Sequence, residues 1–423
     1  ILIVHYVLVE NSKNDSNAPI VVWQQGGPGG SSLIGMFTEV GPLTLNDQSF
    51  KTKDYADSGV PTVFPNPNSW HTAPANYLFV EHPAPTGFSY CDGDCYWNDT
   101  SQAEVNYEFY VKFFESYPEY ADKEFYFTGE SYAGVLVPSV ALQILKHRTP
   151  ENRKKNPWNL QGFALGNDCP GNRVFTCTPY SGWLGTKVAL DFRFGHGMIS
   201  ESLYAEITDA CKSWWKGGKP YPDEDGPTME GPPEGSECRK LLEDPTRPCM
   251  SKAGDTYGMG GGYFLYDTCT ADLLALDNTT NRPTRHEDLK FGVSAESVPT
   301  YPTDSGEYAC GQERATMIWL NLPEVQKALH VKLVNKTQFS FSTGLHYEFT
   351  TYSLLDEYTK DLIPNFRIMQ YSGDADPCVP YVGTQRWIES LDLKIESPWQ
   401  PWTAPGPHDN NMVAGYNTVF ENN

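Results

Sequence analysis

The sequence predicts an α/β fold, with a mixed, mostly parallel sheet flanked by helices and interrupted by one long insertion. Short apolar runs typical of buried strands alternate with helical patterns from residue 19 to 165, and again from residue 323 to 391. Between these regions, residues 182–312 lose the alternation and are rich in glycine, proline and cysteine. We therefore divide the chain into a first core part (1–181), an inserted cap (182–312) and a second core part (313–423).

The individual elements follow from periodicity and from the residues that end each run. In the first core part we predict strands at 19–23, 77–80, 125–127 and 160–165, and helices at 106–117 and 135–145. The helix at 106–117 carries aromatic residues at helical spacing, and Pro118 ends it. In the second core part we predict helices at 323–329, 350–362 and 385–391, and a strand at 366–371.

Composition excludes several classes of partner. The 423 residues carry 31 Lys+Arg and 53 Asp+Glu, a net charge of −22, so we expect neither nucleic acid nor an anionic membrane surface to bind. No apolar run approaches the roughly 20 residues of a membrane span. Residues 1–9 are too short and lack the basic flank of a signal peptide.

The cysteines indicate an oxidising compartment. All ten lack the Cys/His spacing of a zinc site, and nine fall between Cys91 and Cys310, where most of the irregular sequence lies. We therefore expect disulfides that staple the cap, and no metal. The four Asn-x-Ser/Thr sequons, at Asn14, Asn98, Asn278 and Asn335, favour a glycoprotein of the secretory pathway.

The clearest chemical signal is Gly129-Glu-Ser131-Tyr-Ala133, between a predicted strand and a predicted helix. A serine in such a turn is held exposed at the end of the strand, where the helix N-terminus stabilises developing negative charge. The motif ends in alanine, and Gly134 follows one place later. An ordinary strand–helix turn is the structural alternative, so the rest of the chain has to supply the partners of a nucleophile.

A serine nucleophile needs a base, an acid that orients the base, and donors for an oxyanion. On an α/β sheet the acid and then the base follow the serine along the chain. Asp374 and Asp376 leave the predicted strand 366–371, and either is also typical of a turn. Oxyanion donors are available from the N–H of Tyr132 and from the backbone of Gly26 and Gly27.

Seven sequence blocks together indicate a family. They are Trp23-Gln-Gln-Gly-Gly-Pro-Gly-Gly-Ser-Ser32, Glu39-Val-Gly-Pro42, Ala75-Asn-Tyr-Leu-Phe-Val80, Thr86-Gly-Phe-Ser-Tyr90, Gly129-Glu-Ser-Tyr-Ala-Gly134, Asn321-Leu-Pro-Glu-Val-Gln-Lys-Ala-Leu-His330 and Gly373-Asp-Ala-Asp376. In this order they resemble the serine carboxypeptidase family. The resemblance implies an α/β-hydrolase fold and a protease that releases C-terminal amino acids from peptides through an acyl-enzyme. It implies no metal or organic cofactor, and a location in the vacuole, in the lysosome or outside the cell.

The resemblance also assigns roles to residues. Ser131 matches the nucleophile, Asp376 the triad acid, and Gly27 and Tyr132 the oxyanion-hole amides. The residues that match the site for the substrate's free carboxylate are Trp23, Gln25, Gly26, Glu39 and Glu130, with Gln25 standing where the family has Asn. A carboxylate beside two acidic side chains binds when protons are shared among them. We therefore expect hydrolysis to fall as the pH rises from acidic to neutral.

The base is the point where the sequence departs from the family. The family histidine follows a Val-Ala-Gly-Tyr segment and one further strand, whereas this sequence ends at Asn423, shortly after Met412–Tyr416. The only histidine after Asp376 is His408, which precedes that segment and is better explained as a surface-loop residue. We expect a chain cropped at both ends that is nearly inactive as it stands, because a serine without its base loses orders of magnitude in rate.

Two alternatives remain open. The same scaffold can transfer an acyl group to a non-peptide acceptor, and a non-catalytic homologue can act as a binding or chaperone-like protein. A generic lipase or esterase is disfavoured, because it gives no reason for Glu39 and Glu130 beside the glycine loop.

Overall fold

A computed structural model of the chain describes residues 2–13, 15–171, 176, 182–215, 231–243, 263–266, 311–331, 333–334, 338–342, 344–406 and 411–421. The strands are β1 (Leu2–Ile3), β2 (Tyr6–Val9), β3 (Ile20–Gln24), β4 (Leu43–Thr44), β5 (Phe64–Pro65), β6 (Asn76–Val80), β7 (Tyr90–Cys91), β8 (Tyr96–Asn98), β9 (Phe125–Glu130), β10 (Leu160–Gly166), β11 (His346–Glu348), β12 (Arg367–Tyr371), β13 (Ile395–Pro405) and β14 (Asn411–Phe420). The α-helices are α1 (Lys53–Ser58), α2 (Asp99–Ser116), α3 (Ala133–His147), α4 (Thr186–Gly195), α5 (Glu201–Trp215), α6 (Glu237–Glu243), α7 (Gln312–Leu320), α8 (Pro323–Ala328), α9 (Leu355–Glu357) and α10 (Tyr381–Glu389).

The central sheet has six strands in the order β12-β10-β9-β3-β6-β2. Neighbouring strands are parallel except at one edge, where β2 runs antiparallel to β6. The helices α2 and α3 pack on the same core as these strands. The predicted fold class, a mixed and mostly parallel sheet with flanking helices, is confirmed.

Strand β3 explains why the sheet is covered on both faces. Successive side chains of a strand point to opposite faces. Ile20 and Val22 lie in the core formed with α2 and α3. The next residue, Trp23, lies in a second core on the opposite face with Leu33 and Phe37. A continuous apolar run is therefore required here, as in parallel sheets generally.

One predicted helix is partly wrong. Residues 350–354 are not helical, and the helical segment comprises α9 and the π-helical turn Tyr358–Leu362 that continues it. The backbone N–H groups of Thr350 and Thr351 donate to the carboxylate of Asp99, at 2.7 and 2.6 Å. The carboxylate of Asp99, which is distant in sequence, thus accepts hydrogen bonds from these N–H groups in a non-helical conformation. A local helical pattern gives no sign of such a contact.

Disulfides are present, as predicted. Cys91 is bonded to Cys95, and Cys211 on α5 is bonded to Cys238 on α6. Cys169 is also disulfide-bonded. Outside the described residues lie Cys177, Cys249, Cys269, Cys310, His408 and the sequons at Asn14, Asn278 and Asn335.

Across the described ranges, no helix is both long enough and apolar enough to span a bilayer.

Candidate active site

The predicted site residues come from loops at one edge of the sheet. The glycine loop follows β3, the Ser131 turn follows β9, and the Asp376 loop follows β12. All three strands are parallel members of the same sheet, so their carboxyl ends share an edge. Ligand sites of α/β sheets form at this edge.

The turn at Ser131 is a strained elbow between β9 and α3. Ser131 has a φ of 57°, a left-handed conformation that costs a non-glycine residue about 1–2 kcal/mol. It is held by hydrogen bonds on both sides: its N–H donates to the carbonyl of Gly166 at 3.1 Å, and its carbonyl accepts from the N–H of Cys169 at 2.9 Å. The loop after β10 therefore fixes the elbow from outside.

Small residues around the elbow are required by close contacts. A Cβ on Gly129 would lie 2.4 Å from the carbonyl oxygen of Gln24 and 2.7 Å from the Cβ of Ala133. A Cβ on Gly134 would lie 2.6 Å from the backbone nitrogen of Cys169. These contacts thus account for the glycine that begins the motif and for the glycine that follows it at position 134.

The glycine loop lies directly against the elbow. A Cβ on Gly26 would lie 2.6 Å from the backbone nitrogen of Tyr132 and 2.8 Å from the Cβ of Ser131. The next residue, Gly27, has a φ of 111°, which favours glycine. The residue before Gly27, one of the two predicted oxyanion donors, therefore lies against the backbone of the other, Tyr132, beside Ser131.

A buried glutamine joins the predicted carboxylate-binding residues. The Nε2 of Gln25 donates to the Oε1 of Glu130 at 2.6 Å, and its Oε1 accepts from the indole Nε1 of Trp23 at 2.9 Å. Trp23 is 1% exposed. The substitution of Gln for the family Asn is thus accommodated within one continuous hydrogen-bond chain.

Glu39 and Glu130 form a carboxyl pair. Glu39 ends the π-helical turn Gly35–Glu39, and its side chain hydrogen-bonds that of Glu130. Burial and the neighbouring charge of Glu130 raise the pKa of Glu39 well above its ordinary value. Burial also raises the pKa of Glu130, opposed by its hydrogen bonds to Gln25 and Glu39. One proton shared between the two groups satisfies both partners.

Asp376 is held in place by the loop after β10. Its Oδ2 accepts from the Nδ2 of Asn167 at 3.1 Å, and its Oδ1 accepts from the N–H of Cys378 at 2.7 Å. Burial raises the pKa of Asp376 to about 6, against the lowering effect of these bonds. Asp374 is exposed. The charge of Asp376 also raises the pKa of Glu130, so the Asp376 loop and the carboxyl pair are electrostatic neighbours.

Four residues that sequence reasoning missed support this arrangement. Asn167 has a φ of 39° and also accepts from the N–H of Gly373 at 3.0 Å, so it clamps the Asp376 loop. Asp168 is fully buried and accepts from Gln370 at 3.0 Å. The third is Tyr371, whose pKa is raised by burial and by the charges of Glu130 and Glu39. The fourth is Asp99, which accepts a hydrogen bond from the hydroxyl of Tyr132. For Asn167 and Asp168 a signal was present, since two polar residues directly follow a buried strand.

Comparison with known proteins gives one consistent result. The family model described as serine carboxypeptidase matches residues 3–422. The chain is 30% identical to the lysosomal protective protein of Mus musculus, over 97% of this chain and 80% of that one. It is 28% identical to serine carboxypeptidase-like 20 of Arabidopsis thaliana, over 99% of this chain and 80% of the relative.

Among solved structures, the prohormone-processing carboxypeptidase Kex1(delta)p of Saccharomyces cerevisiae matches with a TM-score of 0.63 at 18% identity. The match covers 100% of this chain and 80% of that one, and at this identity it shows a shared fold. Together with the family match over residues 3–422, these findings establish that the chain belongs to the serine carboxypeptidase family.

Proposed function

We propose that this protein is a serine-type carboxypeptidase that removes C-terminal amino acids from peptides at acidic pH. The observation that carries the proposal is the hydrogen-bonded carboxyl pair Glu39–Glu130, which Gln25 links to Trp23 beside Ser131. A protonated carboxyl and an amide are donors for a substrate carboxylate. A hydrolase without selectivity for a free acid end has no use for such a group next to its nucleophile.

The proposed reaction proceeds through an acyl-enzyme. Ser131 Oγ attacks the carbonyl carbon of the last peptide bond and gives its proton to a histidine base, for which the family resemblance implies a position after Met412–Tyr416. The N–H groups of Gly27 and Tyr132 stabilise the oxyanion. The C–N bond then breaks as the histidine protonates the leaving amine, and water hydrolyses the ester by the reverse sequence.

Asp376 orients the histidine in this scheme. Its carboxylate accepts hydrogen bonds from Asn167 and from the N–H of Cys378, and these bonds fix its position. Burial favours its neutral form, and an imidazolium beside it favours the charged form. The charged form of Asp376 is therefore favoured as the histidine accepts the proton, and it then stabilises the imidazolium.

A location in the secretory pathway is part of the proposal. The disulfides Cys91–Cys95 and Cys211–Cys238 are stable in an oxidising compartment. The similarity to a lysosomal protein of mouse supports an acidic one. An acidic lumen matches a binding site that depends on a shared proton.

The test uses the full coding sequence, including any residues that follow Asn423. A blocked dipeptide with a free carboxylate is compared with its C-terminal amide, and Ser131→Ala is the control. We expect release of the terminal amino acid from the acid, little release from the amide, and none from the variant. Equal release from acid and amide, or activity that survives Ser131→Ala, contradicts the proposal.

A further inference from the structure

A buried aspartate outside the predicted site is connected to the Ser131 elbow. Asp99 is the first residue of α2, and it is 2% exposed. Its Oδ1 accepts from the hydroxyls of Tyr132 and Tyr347, at 2.8 and 2.7 Å. Its Oδ2 accepts from the backbone N–H groups of Thr350 and Thr351 and from the hydroxyl of Thr350. Three separate segments of the chain therefore meet at one carboxylate.

The chemistry of this position requires a carboxylate. Every group that faces the two oxygens is a donor, and an ionised aspartate offers acceptors alone. An asparagine in the same place would present its NH₂ group to donors on one side. The position at the start of α2 adds stabilisation, since a helix N-terminus favours negative charge. The bonds are charge-assisted and buried, so each is stronger than a neutral hydrogen bond in water.

The link between Asp99 and the proposed chemistry is Tyr132. Its ring is 0% exposed and lies edge to face with the rings of Tyr347 and Phe349, at centroid distances of 6.1 and 5.3 Å. Its hydroxyl is held by Asp99, and its backbone nitrogen lies against Gly26. With the hydroxyl held by Asp99 and the backbone nitrogen close to Gly26, the peptide plane after the strained Ser131 has little freedom to rotate.

We propose that Asp99 is a positioning residue for the reaction at Ser131: through the Tyr132 hydroxyl it holds the Tyr132 N–H in the direction that stabilises an oxyanion. This inference rests on the proposed function only for the identity of the substrate. The positioning role itself does not depend on the substrate, because any tetrahedral adduct on Ser131 uses the same amide. Asp99 touches no substrate. Its removal misorients a donor and leaves the carboxylate-binding residues Trp23, Gln25, Glu39 and Glu130 in place.

The experiment compares Asp99→Asn, Tyr132→Phe and the double variant with the native full-length protein. Tyr120→Phe is the matched control, because it removes a tyrosine–carboxylate hydrogen bond of 3.0 Å, to Glu10, away from the elbow. The first readout is the rate at which a phosphonofluoridate modifies Ser131, followed by mass spectrometry. In that step the Ser131 oxygen forms a bond to phosphorus, fluoride leaves, the base takes the proton, and the phosphoryl oxygen occupies the oxyanion site.

The second readout is kcat and KM for the blocked dipeptide acid, with the dissociation constant of the released amino acid as a measure of carboxylate binding. We expect Asp99→Asn and Tyr132→Phe to lower kcat and the modification rate by roughly 10- to 100-fold, less than the roughly 100- to 1,000-fold loss when an oxyanion donor is removed outright. KM and the product dissociation constant should change less than about threefold. The double variant should be no slower than Asp99→Asn, because both changes break the same connection.

Each other outcome is informative. The inference is overturned if Asp99→Asn is modified at the native rate. It is also overturned if the double variant loses rate by the product of the two single losses, since the two residues then act separately. Equal losses in kcat and in product binding indicate a general structural defect and overturn it as well. If Asp99→Asn does not fold, the same rates and constants are compared between Tyr132→Phe and the control Tyr120→Phe, and the same criteria apply. A native protein that is modified at Ser131 but releases no amino acid contradicts the proposed function alone, while absence of modification contradicts both.

Discussion

The carboxyl group of Glu39, at the end of a π-helical turn, is hydrogen-bonded to that of Glu130, at the end of β9. The pair is stable because at least one of the two groups keeps its proton, and burial raises the pKa of both. As the pH rises, that proton is lost. For the substrate carboxylate of the proposed function, the site then presents two negative charges instead of one, so binding weakens.

We therefore expect kcat/KM for a peptide acid to fall at least about tenfold from pH 5 to pH 7.5, mainly through KM. Glu39→Gln keeps a hydrogen-bonding group that cannot ionise, so its decline should be less than about threefold over the same range. Initial rates in constant-ionic-strength buffers measure both profiles. A native profile that is flat in KM contradicts this explanation.

Gly26→Ala should abolish most activity and destabilise the protein. The added Cβ would lie 2.6 Å from the backbone nitrogen of Tyr132, so either the glycine loop or the elbow has to move. We expect kcat to fall by more than about 100-fold, and the free energy of unfolding by about 1–3 kcal/mol. Gly344→Ala is the control, since its Cβ meets nothing within 4 Å. Equal behaviour of the two variants in kinetics and denaturant titration refutes the close contact.

Gln25→Leu should weaken substrate binding more than it slows chemistry. It removes the donor to Glu130 and leaves the buried indole N–H of Trp23 without its acceptor, which costs about 1–3 kcal/mol of unfolding free energy. KM for a peptide acid should rise at least about tenfold, the effect of one lost charge-assisted hydrogen bond. Gln161→Leu, which removes amide bonds to Asn159, is the control. An unchanged KM argues against a role of Gln25 in carboxylate binding.

Asp168→Asn should change how stability depends on pH. Burial raises the pKa of Asp168 to about 7, so the folded protein keeps a proton that the unfolded chain releases above about pH 4. The stability contributed by this proton is complete below pH 4 and is lost as the pH rises toward 7. Asparagine cannot ionise, and its amide can still accept from Gln370. The variant should be equally stable at pH 4, and about 2–4 kcal/mol more stable than the native protein at pH 8.

Denaturant titrations at pH 4 and pH 8 measure this difference. Asp209→Asn, at an exposed position of α5, is the matched control and should show no such change with pH. A gain for Asp168→Asn that is the same at both pH values refutes the assignment to ionisation.

The parts of the fold that sequence predicts well are those whose cause is local. The runs in β3 and β9 are apolar, and each is closed by glycines that a tight turn requires, so both strands and their turns are readable from sequence. At β9 the following helix is readable as well. The hydrogen bonds around the carboxyl pair have no local cause. Gln25 and Glu130 are bonded across 105 residues of sequence, and nothing local to either indicates the other; the family resemblance alone brought them together.

Asp99 and Asn167 show the limit of local reading. Asp99 looks like an ordinary acidic residue at a helix start, whereas its oxygens bond Tyr132 and residues about 250 positions away. Asn167 reaches Asp376 because β10 and β12 are neighbours, a pairing that sequence order does not reveal. In both cases the contacts depend on which strands are paired, and sequence order does not show this. The contacts of Asp99 also explain why the first five residues of the helix predicted at 350–362 are not helical.

The contact between Gly26 and Tyr132 has a practical consequence for redesign. A Cβ at Gly26 would meet main-chain atoms of Glu130 and Tyr132, so the close approach of the two loops depends mainly on backbone geometry. Under the proposed function, exchanging surface segments farther from the sheet between relatives should alter which peptides are accepted while the geometry around the serine stays unchanged. Libraries of such chimaeras should hold constant residues 23–32 and 129–134 together with the residues that fix them, which are Asp99, residues 166–169 and residues 376–378.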